Sequence, residues 1–500
     1  MFISLSRNSL PVIKMGGKAI LNSKGITRIQ TIIIIVVVLI AAIGGGLYYF
    51  LVVRAPVTIK VVAIAHAAAG IQELANRFMK EHPEIKIECI LLDWETGRDR
   101  QLHDMATGAG EFDVYMWDCI YTGAFGPHCY TLDELKSKYP DSETFKDYSD
   151  FIQSIDSRYA FWNGKRIGYI VCANVMAMFY RKDLFENATI KAQYATWIQN
   201  NLNLVRTRVV DSGLDPAKIP MELKVPTVLE ELLATAMFFT KTFNPNSPTE
   251  IGNCIMAMKT HTIHWEYCWL FAQWRRSPQG LATLGPVTPP YGDLFTSTAK
   301  PAFDPAVSDM GVKILKLFKY LTDCQTAPME TEWSQCMDNF GTGKAAMWAG
   351  SWASCFIDFL EKAPEEYPTI AGKVGVAPSP GVGADGTWQV GVSKYSKHPK
   401  EAWLFIQYMM TSDSMKIAWT KSSSFPARKS VIQDLSSQYP VFTTFLTALE
   451  NPSTRNYVPE NPQLEDSIAN WVTDYIAGTV DAETAIAHLT AEWKQILGIP

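Results

Sequence analysis

Between residues 57 and 118 the hydrophobic pattern switches repeatedly between continuous and helical, and this alternation restricts the fold more than any other feature. After Pro56, "VTIKVVAIA" is almost unbroken apolar sequence, as expected of a strand covered on both faces. In "GIQELANRFMKEHPEI", Ile71, Leu74, Ala75, Phe78 and Met79 recur at helical spacing, and Pro83 marks the stop. "IKIECILLDW" reads as a strand, "RDRQLHDMATGAG" as a helix with its exit, and "FDVYMWD" as a third strand. Strand, helix, strand, helix, strand predicts a parallel sheet with helices on both faces. The pattern returns later: "RIGYIVCANVMAMFYR" is extended, "TVLEELLATAMFFTKT" is a long helix, and "AAMWAG" and "VGVAPSP" are short strands. Two α/β units follow, with no low-complexity linker between them. Residues 187–226 read as a polar, helical insertion, and 278–305, with "GPVTPPYGD", as an irregular loop.

Ile32 to Val53 is 22 residues without a charge, roughly 33 Å as a helix and long enough to cross a bilayer core. Arg7, Lys14, Lys18, Lys24 and Arg28 precede it, and only Arg54 follows immediately. That asymmetry predicts a cytoplasmic basic segment over 1–30, an anchor over 31–54, and the bulk of the chain outside the cell membrane after a single pass. The competing reading is a cleaved signal peptide, whose apolar core is usually shorter. No cysteine precedes Cys89, which excludes a lipoprotein anchor. Without those six basic residues, 39 Lys and Arg face 50 Asp and Glu, so the body is acidic and no nucleic-acid partner is expected. The nine cysteines are an odd number with no C-x-x-C. An oxidising exterior permits disulfides but leaves at least one thiol outside any intramolecular pair. Asn187-Ala-Thr189 is a glycosylation sequon.

Several motifs stand in an order found in one family. "LANRFMKEHPEIKIE", "GAGEFDVYMWD", "FWNGKRIGYIVCANVMAMFYRKDLFEN", "VPTVLEELLATAMFFTK", "FGTGKAAMWAGSW", "GVSKYSKHPKEAWLFIQYMMTSDSMKIAW" and "FPARKSV" run through residues 57–500. Together they resemble the family 1 extracellular solute-binding proteins, the maltose-binding type that serves ABC importers. The stretch "SKGITRIQTIIII" is similar to archaeal prepilin-like signal peptides, which implies a cut after Gly25 that leaves the apolar helix on the protein. The resemblance implies an α/β fold of the two-lobed periplasmic-binding-protein type (type II) behind one transmembrane helix. Its lobes are expected over 55–158 with 387–436, and over 159–386 with 437–500. Departures from the family pattern are Val171 where a proline is usual, Thr387 and Trp388 in place of a glycine pair, and the length of 187–226.

A receptor for sugars needs aromatic platforms for the C–H face of a pyranose and planar polar groups for its hydroxyls. "AAMW" followed by glycine and serine would bring Trp348 and Trp352 to the mouth of a sheet, and the resemblance implies a stacking role for Trp352. For any one of 15 tryptophans the alternative is the core. Trp117 and Asp118 end a strand at the carboxyl edge, where open α/β sheets bind ligands; Asp118 could equally cap a helix. Asn174 is a hydroxyl partner or a turn residue. Trp94 leaves a strand beside Glu95. In "HTIHWEYCWLFAQW" the resemblance implies that Trp265 and Tyr267 supply an aromatic from the second lobe, and His261 with His264 is a weak metal pair lacking H-E-x-x-H. Trp388 would narrow the cleft, and Arg428 is a ligand or lobe-closing contact. The expected function is capture of a sugar or oligosaccharide by hinge closure, with transfer to ABC permease subunits, as a monomer without catalysis, metal or cofactor. The rivals are an extracellular polysaccharide hydrolase, which would need two carboxylates such as Asp93 and Glu95 at defined separation, and a sensor or surface protein outside transport. A peptide or polyol would fit a similar cleft.

Overall fold

The computed structural model describes residues 27–48, 56–64 and 67–499, which fall into two units, one ending at Pro56 and one beginning at Val57. In the first, α1 (Arg28–Tyr48) is a 21-residue helix, about 31 Å long, with exposed apolar side chains from Ile29 to Ile43. It is long and apolar enough to cross a membrane, and a signal sequence would meet the same test. The helix begins four residues before the uncharged run. Residues 49–53 of that run, the basic segment before Thr27 and the Gly25 cut lie outside the described residues.

The second unit opens as its periodicity dictates: β1 (Val57–Ile64), α2 (Ala68–Glu81), β2 (Ile85–Leu92), α3 (Trp94–Thr107) and β3 (Val114–Asp118). β1 pairs parallel with both β2 and β3. On α2 the buried face is Gly70, Ile71, Leu74, Ala75 and Phe78, the stripe that helical spacing sets out. Trp94 does not extend β2. Asp93 accepts a hydrogen bond from the Thr96 N–H at 2.9 Å, and this cap starts α3 at Trp94.

The rest of the sheet comes from β4 (Tyr169–Arg181), β5 (Ile251–Asn253), β6 (Ala345–Trp352), β7 (Val374–Pro378) and β8 (Asp385–Val392), giving eight strands in the order β2-β1-β3-β8-β4-β6-β5, with β7 also on β4. Strand β4 joins the two lobes. Its first half, Tyr169 to Val175, pairs antiparallel with β8, which itself pairs with β3. Its second half, from Met176, pairs with β6 and β7. A chain that crosses between lobes on one 13-residue strand needs no linker, which is why none is visible.

The insertion after residue 186 is docked. Asn187 caps α4 (Ala188–Asp211) by accepting from the Thr189 and Ile190 N–H groups, and Tyr194, Trp197, Ile198, Val205 and Val209 are buried. Tyr194 and Trp197 meet Phe238 of α5 (Leu229–Phe238), a helix shorter than its apolar sequence. In the Pro-rich stretch, Ser277 caps a short helix over Pro278–Leu284 where a loop was expected. All nine cysteines are free thiols, eight of them buried.

Candidate functional site

The sheet order brings distant segments to one point. Gly386 of β8 lies opposite Asn174 of β4, and two residues on Met176 lies opposite Trp352 of β6. Here β4 passes from one lobe to the other, and here the structure has a cavity of about 250 Å³, near the lower end for small-molecule sites. Asp93, Trp94, Asp118, Gly386 and Trp388 line one part of it. His261, Thr262, Trp265, Glu332, Trp333, Trp352, Asn174 and Ser354 complete the lining. Depressions of about 460 and 470 Å³ lie elsewhere on the unit, but each carries at most three aromatic rings.

The indoles stand at steep angles to one another. Trp94 meets Trp388 at 4.9 Å and 78°, and Trp265 at 5.5 Å and 82°; Trp265 meets Trp352 at 5.7 Å and 86°. His261 stacks on Trp94 at 4.6 Å, and its Nδ1 lies 3.2 Å from Glu95 Oε1. Edge-to-face rings suit their quadrupoles and brace one another. The indole N–H groups of Trp94, Trp265 and Trp352 are buried and have no hydrogen-bond partner among the described residues. The same is true of Trp269, Trp348 and Trp419, which do not line the cavity. Gly386 is required by this packing: a Cβ there would come within 2.4 Å of the Trp352 ring.

The polar wall is pre-set. Asn174 Nδ2 donates to Ser354 Oγ at 3.2 Å, and its Oδ1 accepts from the Ser354 and Val175 N–H groups at 3.1 and 3.2 Å. The amide is thus fixed, and the Ser354 hydroxyl keeps its proton for another acceptor. Asp118 is ion-paired with Arg455, whose Nε donates to the Asp385 carbonyl at 3.1 Å. Burial pushes the Asp118 carboxyl up, and Arg455 opposes it. Asp93 and Glu332 stand at helix starts at the cavity's edge, with Glu332 capping α7 (Trp333–Gly341) after α6 (Thr262–Arg275) has supplied Trp265.

Of the residues expected at a site, Trp94, Asp118, Asn174, Trp265, Trp352 and Trp388 line this one cavity. Four do not. Trp117 is on β3 one residue before Asp118, so it faces the other side of the sheet, stacked on Phe125 at 5.3 Å. Tyr267 follows Trp265 by two helical positions, about 200° around α6, and is buried with its hydroxyl donating to the Gly311 carbonyl at 3.3 Å. Trp348 lies four residues back on β6 from Trp352, across a register shift, and packs against Trp333 at 5.1 Å. Arg428 is held by Asp150 at 2.7 Å and Asp147 at 2.9 Å, and donates to the Met410 carbonyl at 3.2 Å; it ties surface loops together. His261 and His264 face different carboxylates, Glu95 and Glu465, rather than each other. Glu332, Trp333, Ser354 and Gly386 carried no sequence signal as a group, since only the strand register assembles them.

A family model described as bacterial extracellular solute-binding protein matches residues 73–444. A probable amino-acid ABC transporter periplasmic-binding protein, y4oP of Sinorhizobium fredii, is 20% identical over 446 residues, covering 88% of this chain and 89% of its own length. A mannitol-binding protein of Pseudomonas aeruginosa is 27% identical over 154 residues, 28% of this chain and 31% of its own. Among solved structures, maltose-bound MalE3 of T. maritima superposes with a TM-score of 0.67 at 18% identity, covering 88% of this chain and all of that one. A ribitol complex of a solute-binding protein from Agrobacterium radiobacter K84 gives 0.67 at 19% identity, covering 89% and 99%. At such identities the structures establish the two-lobed fold alone.

Proposed function

The chain belongs to the bacterial extracellular solute-binding proteins, and from that premise we propose that it captures one small sugar or polyol in the tryptophan-lined cavity and delivers it to an ABC permease. The observation that carries this reading is the convergence of five indoles on a space of about 250 Å³. Rings offer C–H faces a platform, and the indole N–H groups and the Ser354 hydroxyl meet oxygen acceptors. The mannitol, maltose and ribitol of the relatives' names have this chemistry. An amino acid, as in the name of the Sinorhizobium relative, fits less well: its carboxylate needs a cation, and no lysine or arginine lines the cavity among the described residues. The small volume favours one sugar unit over an oligosaccharide.

In this reading one lobe holds 55–158 with 387–436 and the other most of 159–386 with 437–500, the crossing lying within β4, and closure joins Trp94, Asp118 and Trp388 to Trp265 and Trp352. α1 anchors a monomer whose body faces outward, and a cut after Gly25 leaves the anchor in place. The guest leaves unchanged. Calorimetric titration of the detergent-solubilised full-length chain against glucose, sorbitol, D-mannitol, ribitol and maltose tests this. One-to-one binding in the micromolar range or tighter, with the ligand recovered intact, is the expected result. Hydrolysis of maltose, or binding of no sugar or polyol whatever its charge, contradicts it.

A further inference from the structure

The walls of the cavity carry charge of one sign beyond what its own cation neutralises. Asp93 stands exposed at the edge and Glu332 partly exposed, while Asp118 is matched by Arg455 from behind. His261 is engaged with Glu95, a further carboxylate. Arg455 lies 5.7 and 5.9 Å from the Trp265 and Trp352 rings, yet it is surrounded by Asp118 and Asp385 and contributes no net charge to the site. Asp93 gives one oxygen to the Thr96 N–H, and that contact and the Thr96 side chain hold its carboxyl below the usual range, so it stays ionised near neutral pH. Glu332 accepts from Ser334 at 3.2 Å through the hydroxyl.

A neutral sugar can use carboxylates as acceptors for its hydroxyls, but only a cation also gains from their net charge. Perpendicular indoles with acids at the rim are instead the arrangement that attracts an ammonium group: the π-faces are negative, and the carboxylates add a field that water at the mouth only partly screens. We propose that the guest is a polyhydroxylated ammonium compound, an amino sugar or amino polyol, with its cationic nitrogen among the indoles on the side of Asp93 and Glu332 and its hydroxyls toward Asn174, Ser354 and the indole N–H groups. This rests on the solute-binding reading above and adds the charge of the ligand to it. It also accounts for the absence of lysine and arginine from the described lining, where either would repel the guest.

The test uses matched pairs on the full-length chain in detergent, at neutral pH and low salt: glucamine against sorbitol, and glucosamine against glucose. At least one aminated probe is expected to bind about tenfold or more tightly than its neutral partner. N-Acetylation of that probe, which removes the charge and keeps the hydroxyls, removes the preference, and Glu332→Gln narrows the ratio severalfold. Ratios near or below one in both pairs, or tight binding of a neutral sugar by a protein that ignores both amines, overturn the inference and leave the sugar or polyol reading standing. Binding of no polyhydroxylated probe overturns both.

Discussion

Trp265→Ala is expected to weaken binding of the best sugar or polyol by about 30- to 150-fold, the loss of about 2–3 kcal/mol that a central aromatic anchor typically carries. Trp265 earns that place by position: it comes from α6, is 9% exposed, and meets Trp94, His261 and Trp352 edge to face at 5.2–5.7 Å. Truncating it opens one wall and frees two neighbours to turn. Trp265→Phe keeps a ring but loses the unpartnered N–H, so its loss should be smaller. Trp348→Phe alters an indole packed against Trp333 and should leave affinity within about twofold of the unaltered protein, about 0.4 kcal/mol. Calorimetry on the three variants, with melting curves to establish folding, checks the order. Equal losses for Trp265→Phe and Trp348→Phe would mean that both rings act through the core.

Arg455→Met should destabilise the fold by about 3–5 kcal/mol, the usual cost of stranding a buried counter-charge. Arg455 is fully buried, pairs with Asp118, and donates to the Asp385 carbonyl. Asp385 is itself held by the Tyr159 hydroxyl at 2.9 Å. Burial raises both carboxyls, and Arg455 is the largest influence drawing each back down. Without it, both pKa values move further up in the folded state. An acid with a raised folded pKa begins to lose stability as pH climbs past its unfolded value, near 4 for aspartate, and goes on losing it until pH passes the folded value. The variant's deficit should therefore be smaller near pH 4 than at pH 7. Denaturant unfolding at the two pH values measures it, and a deficit independent of pH would mean that packing, rather than charge, is what Arg455 supplies.

The first five elements were legible because continuous apolar runs mark β1 and β3, buried on both faces from Val61 onward in β1 and throughout β3, and helical spacing marks α2, whose stripe includes Phe78. Side-chain direction is also legible from element parity. The parity of β3 puts Trp117 and Asp118 on opposite faces, and the two-residue step on α6 separates Trp265 from Tyr267. What could not be read is register. Gly386 meets the Trp352 ring only because β8 and β6 flank the same stretch of β4, and Glu332 and Trp333 reach the cavity through the placement of α7. Arg428, in "FPARKSV", was expected as a ligand or lobe-closing contact; its partners Asp147 and Asp150 lie some 280 positions earlier in the chain.

The central claim is that one solute sits where β4 passes between the lobes. Hydrogen–deuterium exchange on the full-length protein, with and without the tightest-binding member of the panel at saturation, tests it most directly. Slowed exchange is expected in peptides covering 93–98, 118–122, 261–266, 332–336, 352–355 and 385–388, drawn from both lobes together. Protection confined instead to the groove around Arg158, Trp162 and Pro290, or to one lobe, would contradict the account.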